Sequence, residues 1–115
     1  MNFKDLKVWN DAVDLAVDVY RLTAQLPADE RFGLTAQIKS AAVSVPSNIA
    51  EGEGRWTRRD HLRFLGQARG SLYELETQLV ICSRLGYITD PLTAQIAETA
   101  KLINGTIRHV STKRN

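Results

Sequence analysis

Residues 65–82 read LGQARGSLYELETQLVIC, and this stretch decides the fold. Leu65, Ala68, Leu72, Leu75, Leu79 and Cys82 recur at three and four, a spacing that puts them on one side of an α-helix. Sustained over more than two heptads, it is the seam of a helix that packs along its whole length against other helices. Thr57 is a helix-capping residue ahead of the seam, with Asp60 at the acidic position of a capping box. Gly86 follows as the residue that lets the chain leave. The spacing therefore predicts a helix over about Arg58–Leu85.

Working outward, the same periodicity appears three more times. Leu92, Ile96, Ala100, Ile103, Ile107 and Val110 form the stripe of a last helix over about Pro91–Thr112, with Asp90 as N-cap, Pro91 as its first residue and a frayed tail at 113–115. Leu34, Ile38, Ala41, Val45 and Ile49 mark a helix over about Glu30–Gly52. Pro46 interrupts it, withdrawing the N–H that would reach the carbonyl of Ala42 and predicting a kink; Ser44, Ser47 and Asn48 stand ready to satisfy the freed groups. Gly52 and Gly54 then release the chain. Leu6, Trp9, Val13, Ala16, Val17 and Tyr20 give a first helix over about Asp5–Gln25, acidic outside and stopped by Pro27. Short connections make neighbours antiparallel. The expected fold is all-α: an up-down-up-down four-helix bundle with a kinked second helix, forming one domain over residues 1–115.

Composition agrees. The chain has 115 residues, 43% hydrophobic and 24% charged, enough for one core and too short for two. The longest apolar run, Leu79–Cys82, is far short of the roughly 18 residues of a membrane span. The charged start at Lys4, Asp5 and Lys7 is no signal peptide. A cytoplasmic protein with a reduced, core-packed Cys82 is expected, with no membrane partner.

Four blocks carry a resemblance: FKDLKVW at 3–9, FGLTAQI at 32–38, SVPSNIAEG at 44–52 and GSLYELETQL at 70–79. Together they resemble the four-helix bundle proteins of intervening sequences in bacterial 23S ribosomal RNA genes, a family similar to the accessory variability proteins of diversity-generating retroelements. The resemblance is strong from Phe3 to about Gly86 and weak over the last helix. It implies a ring-like homo-oligomer, a pentamer, that binds nucleic acid and has no catalytic activity.

Charge shows where such binding would occur. The net +2 of 15 basic and 13 acidic residues hides an acidic first 30 residues, net −3, and a basic stretch 55–70, net +4. Arg55, Arg58, Arg59 and Arg63 are the candidate nucleic-acid-binding residues, with Arg59 and Arg63 one turn apart and Trp56 and His61 among them. Guanidinium forks bind phosphates bidentately, an aromatic ring stacks on a base, and a helix N-terminus adds positive potential. The competing readings are arginines that pair with acidic residues of a neighbouring subunit, or simply a solvated turn. The corresponding alternative function is an assembly or adaptor protein acting through protein contacts only.

Enzyme chemistry finds little footing. Ser44, Ser47, Asn48 and Glu51 have no histidine nearby to activate a serine, so they read as support for the proline break. The only histidines, His61 and His109, and the only thiol, Cys82, share no ligand spacing, so no metal and no cofactor is expected, and no small-molecule substrate either. Gly52-Glu53-Gly54 precedes no Lys-Ser or Lys-Thr pair and is no phosphate loop. Gly66 and Gly70, one turn apart inside the third helix, predict a close backbone approach by another helix or another subunit. Phe64 and Tyr73 lie off the seam and read either as partly exposed contact aromatics or as a widening of the core beyond the seam.

Overall fold

A computed structural model describes residues 2–112, so the tail at 113–115 lies outside the described residues. Four helices make up the chain: α1 (Lys7–Leu22), α2 (Leu34–Glu53), α3 (Arg58–Arg84) and α4 (Thr93–Thr112), with no strand among the described residues. They form one elongated bundle, 49 Å long and 24 by 21 Å across. α2 packs most extensively on α3, then α1 on α2 and α3 on α4, with α1 on α4 closing the square. Paired residues count in opposite senses along α2 and α3: Ser44 meets Ser71, while Gly52 meets His61 and Phe64.

The seam of α3 is the centre of the core. Leu65, Ala68, Leu72, Leu75, Leu79 and Cys82 are all fully buried, and from Ala68 onward they form one cluster with Leu15 and Val19 of α1, Ile38, Val45 and Ile49 of α2, and Ile96 and Ile103 of α4. Burial, with Glu30's charge as a lesser cause, raises the Cys82 thiol pKa and makes it a poor nucleophile.

The ends of α3 follow local chemistry. Thr57 Oγ1 accepts from the N–H of Asp60 at 3.1 Å. At the other end Gly86 adopts φ +79°, the N–H of Tyr87 donates to the carbonyl of Cys82 and that of Gly86 to Ser83. This paired arrangement is the Schellman stop that only a residue without a Cβ accepts easily.

Several boundaries differ from the expectation. α1 starts at Lys7, because Phe3–Asp5 form a separate 3-10 turn and Leu6 is extended. That turn is held by Asn10 Nδ2, which donates to the carbonyls of Lys4 and Leu6 at 2.9 Å, and by Phe3 set edge-on to Trp9. α2 starts at Leu34, after a 3-10 turn at Ala28–Glu30. α4 starts at Thr93. Asp90 Oδ1 accepts from the N–H of Leu92 at 2.9 Å, and Leu92 turns into the left-handed region at φ 58°, so Asp90 and Pro91 stand before the helix.

Within α2, Pro46 is buried. Asn48 Nδ2 donates to the carbonyl and Oγ of Ser44 rather than to Ala42, and Ser44 Oγ lies 2.8 Å from Ser71 Oγ. The polar groups around the proline thus tie α2 to α3.

Gly66 and Gly70 depart from the expected intramolecular close approach: a Cβ on either would meet nothing within 4 Å. Gly52 is the glycine that is tightly packed. A Cβ there would fall 3.0 Å from His61 Cδ2 and 3.2 Å from Phe64 Cβ, so the absence of a side chain lets the end of α2 lie on the start of α3.

Candidate nucleic-acid interface

The basic end of the bundle is built on this Gly52 contact. After α2 the chain turns at once: the N–H of Gly54 donates to Glu51 and that of Arg55 to Gly52. Four residues, Gly54–Thr57, separate the helices, so Arg55 and Trp56 project from the tip. Trp56 is 99% exposed. A large aromatic ring held fully in water on a short turn contributes nothing to the core and is available to stack on a ligand.

The four arginines fan around the start of α3. Arg55 and Arg63 lie over the ring of Phe64, their guanidinium carbons 4.3 and 4.5 Å from its centroid. Phe64 is buried, which decides for core widening over an exposed contact aromatic: the end of α2 and these two side chains cover it. Arg63 Nε also stands 3.6 Å from Asp60 Oδ1. Arg58 turns the other way and donates to the carbonyl of Ser111 near the end of α4 at 3.4 Å. Arg59 is exposed. Consecutive helix positions rotate by about 100°, so Arg58 and Arg59 face different sides, while Arg59 and Arg63 share the outer one. Arg69, part of the same basic stretch, is engaged elsewhere: it donates to Asn104 Oδ1 at 3.0 Å and joins α3 to α4.

Folding adds basic residues that the local reading did not include. Lys101, Arg108 and His109 of α4 border a cavity of about 820 Å3 together with Glu53, His61 and Thr106. Lys101 and Arg108, two turns apart on one helix face with His109 beside the second, are the sequence signal that marks them. His61 is not a surface residue. Its Nε2 is buried and 3.6 Å from Glu53 Oε1, too long for a hydrogen bond. Phosphate recognition needs cations and donors; this end offers them on two helices and a turn, with Glu53 bordering the same cavity and Asp60 beside Arg63. Among the described residues no group of three or more His, Cys, Asp or Glu gathers to hold a metal ion, and no helix is long and apolar enough to cross a membrane.

Tyr20 and Tyr73 lie away from this end and are both about half exposed. Trp9 packs against the edge of the core.

Residues 4–108 match the family described as 23S rRNA-intervening sequence protein. The fold is similar to that of a crystal structure from Bacteroides thetaiotaomicron, a protein of unknown function from the S23 ribosomal protein family. The TM-score is 0.72 at 24% identity, covering 92% of this chain and 99% of that one. No curated protein matches the chain.

Proposed function

The chain belongs to the 23S rRNA-intervening sequence protein family, and from that premise we propose that it is a non-catalytic, cytoplasmic homo-oligomer, a pentamer, that binds RNA or DNA through backbone phosphates. The observation that carries the reading is that Arg58 of α3 reaches Ser111 near the end of α4, close in sequence to Arg108 and His109, so that basic residues of two helices share the end of the bundle that carries the exposed Trp56. Arginine and lysine neutralise phosphates and release counterions, and the tryptophan supplies a stacking surface that accepts any base. Such a site follows the charge and shape of the strand and not its sequence. Each copy offers a modest patch, and several patches held in one ring add by effective concentration.

The test is retention of labelled RNA and single-stranded DNA by the purified protein across a salt series. Binding weakens steeply with salt for the unaltered protein. The combined Arg58→Glu, Arg59→Glu and Arg63→Glu variant loses the salt-sensitive retention and keeps its helical circular dichroism. Unchanged binding by that variant refutes the patch. The second reading, assembly through protein contacts alone, is favoured by the uncovered apolar groove between α1 and α2. A protein that is oligomeric by light scattering, yet retains no nucleic acid at low salt, decides for it.

A further inference from the structure

The cavity of about 820 Å3 draws its walls from all four helices: Val8 of α1, Glu53 at the end of α2, His61 of α3 and one face of α4. That volume is in the range of small-molecule sites. Lys101 and Val110 both border it, so it runs for roughly 13 Å along α4 at 1.5 Å per residue.

The α4 wall is ordered by spacing. Lys101, Gly105 and Arg108 follow one another at four and three on one face, all three lining the cavity. Gly105 keeps the wall low between the two cations: a Cβ there would meet only Arg108 Nη2, at 3.8 Å. The Arg108 guanidinium is thus folded back along its own helix toward the glycine. Among the described residues neither Lys101 nor Arg108 forms an ion pair, so both charges are left for a ligand. Leu102 and Val110 add apolar surface beside them. On the α2 side, Glu53 Oε1 stands 3.6 Å from the buried His61 Nε2, and the Glu53 carboxylate accepts no hydrogen bond among the described residues.

Each group selects a part of one ligand. Two uncompensated cations flanking a glycine suit a phosphate monoester, which carries about −1.5 to −2 charge at neutral pH and three acceptor oxygens. A diester inside a strand carries a single charge and suits them less. The missing side chain at Gly105 lets the phosphate approach the helix closely. An ionised carboxylate repels phosphate and accepts from a hydroxyl, so Glu53 takes the sugar end. The apolar walls take a flat ring. We propose that this cavity binds one nucleoside monophosphate unit, free or at the end of a strand, with the phosphate between Lys101 and Arg108 and a sugar hydroxyl on Glu53. The proposal rests on the phosphate affinity proposed above for this end and names the form of phosphate taken. A cavity walled by four helices admits a terminus, whereas the middle of a strand stays on the outer arginines.

The test is isothermal titration of the purified protein with adenosine monophosphate at low salt. Binding saturates, while adenosine and inorganic phosphate each bind at least about tenfold more weakly, lacking one half of the contacts. Lys101→Gln combined with Arg108→Gln alters two exposed side chains, so the fold is kept and the affinity falls by about tenfold or more. Gly105→Leu fills the floor of the cavity and weakens binding likewise. No saturable binding to the unaltered protein overturns the proposal, as does unchanged affinity in either variant. Displacement of the nucleotide by a 5′-phosphorylated oligonucleotide, and not by its 5′-hydroxyl form, identifies a strand end as the occupant. Displacement by neither identifies the free nucleotide, and equal displacement by both overturns the preference for a monoester. A protein that retains strands in the salt series but binds no adenosine monophosphate overturns this site alone. One that binds adenosine monophosphate but retains no strand overturns only the strand reading above.

Discussion

Along its inner face α3 presents Leu65, Ala68, Leu72, Leu75, Leu79 and Cys82, withdrawn from solvent on three neighbouring helices. Along its outer face the same three-and-four spacing carries Gly66, Gly70, Tyr73, Thr77 and Ile81, which lie open. The two faces differ in what they can do for a single chain. Branched aliphatic side chains remove large apolar areas from water and hold the fold. Two glycines and a back-bonded threonine remove little, so that row gives the lone bundle no stability. What it has is a surface that another helix can approach closely. Periodicity alone finds both rows; the side-chain volumes on each say which one folds the chain.

Breaking the inner face gives the largest effect. Leu75→Ala leaves a cavity where four helices meet and lowers the unfolding free energy by about 2–5 kcal/mol in urea titration. Tyr73→Ala, two residues away on the outer face, changes the stability of the single chain by less than about 0.5 kcal/mol. Equal losses at the two positions would erase the distinction.

The glycines sharpen the contrast and reverse its sign. Gly52→Val drives a branched side chain into His61 and Phe64 and destabilises by about 1–3 kcal/mol in the same titration. Gly70→Ala meets nothing and removes the conformational freedom of a helix-interior glycine, so the single chain gains up to about 1 kcal/mol. A loss at Gly70 in the single chain would mean that an intramolecular contact holds it.

These pairs also show what was legible in the sequence. The α3 seam, the Thr57 cap and the Gly86 stop are local: each is decided by residues within one or two turns. Gly52 and Gly66 look alike in the sequence, and only the crossing of α2 on α3 decides that the first is pressed and the second is open. The start of α4 was displaced because Asp90 caps Leu92 instead of the helix, a choice made by the left-handed turn at Leu92. At the basic end, four arginines close in sequence read as one patch. Helical rotation sends Arg58 toward α4 and Arg59 outward, and Phe64 takes Arg55 and Arg63. Arg108 and His109 lie about 50 residues beyond Arg58 and come to the same end through the packing of α4 alone.

The smallest effect belongs at the far end of the inner face, where the chain leaves α3. Tyr87 Oη donates to Glu30 Oε2 at 3.2 Å, linking the Gly86 stop to the turn before α2. Desolvation raises the Tyr87 pKa above the usual phenol value of 10.0, and the bond to Glu30 and its charge raise it further. The folded protein thus holds the phenolic proton to higher pH than the unfolded chain. Its stabilising contribution is fully present below pH 10 and is lost as pH rises through the raised value. Tyr87→Phe removes the group that titrates. Its stability difference from the unaltered protein stays constant between pH 6 and 9 and shrinks above pH 10, read as denaturation midpoints at each pH. A difference that persists unchanged into strong alkali would show that Tyr87 contributes only by packing and that its proton has no part in closing this end of the bundle.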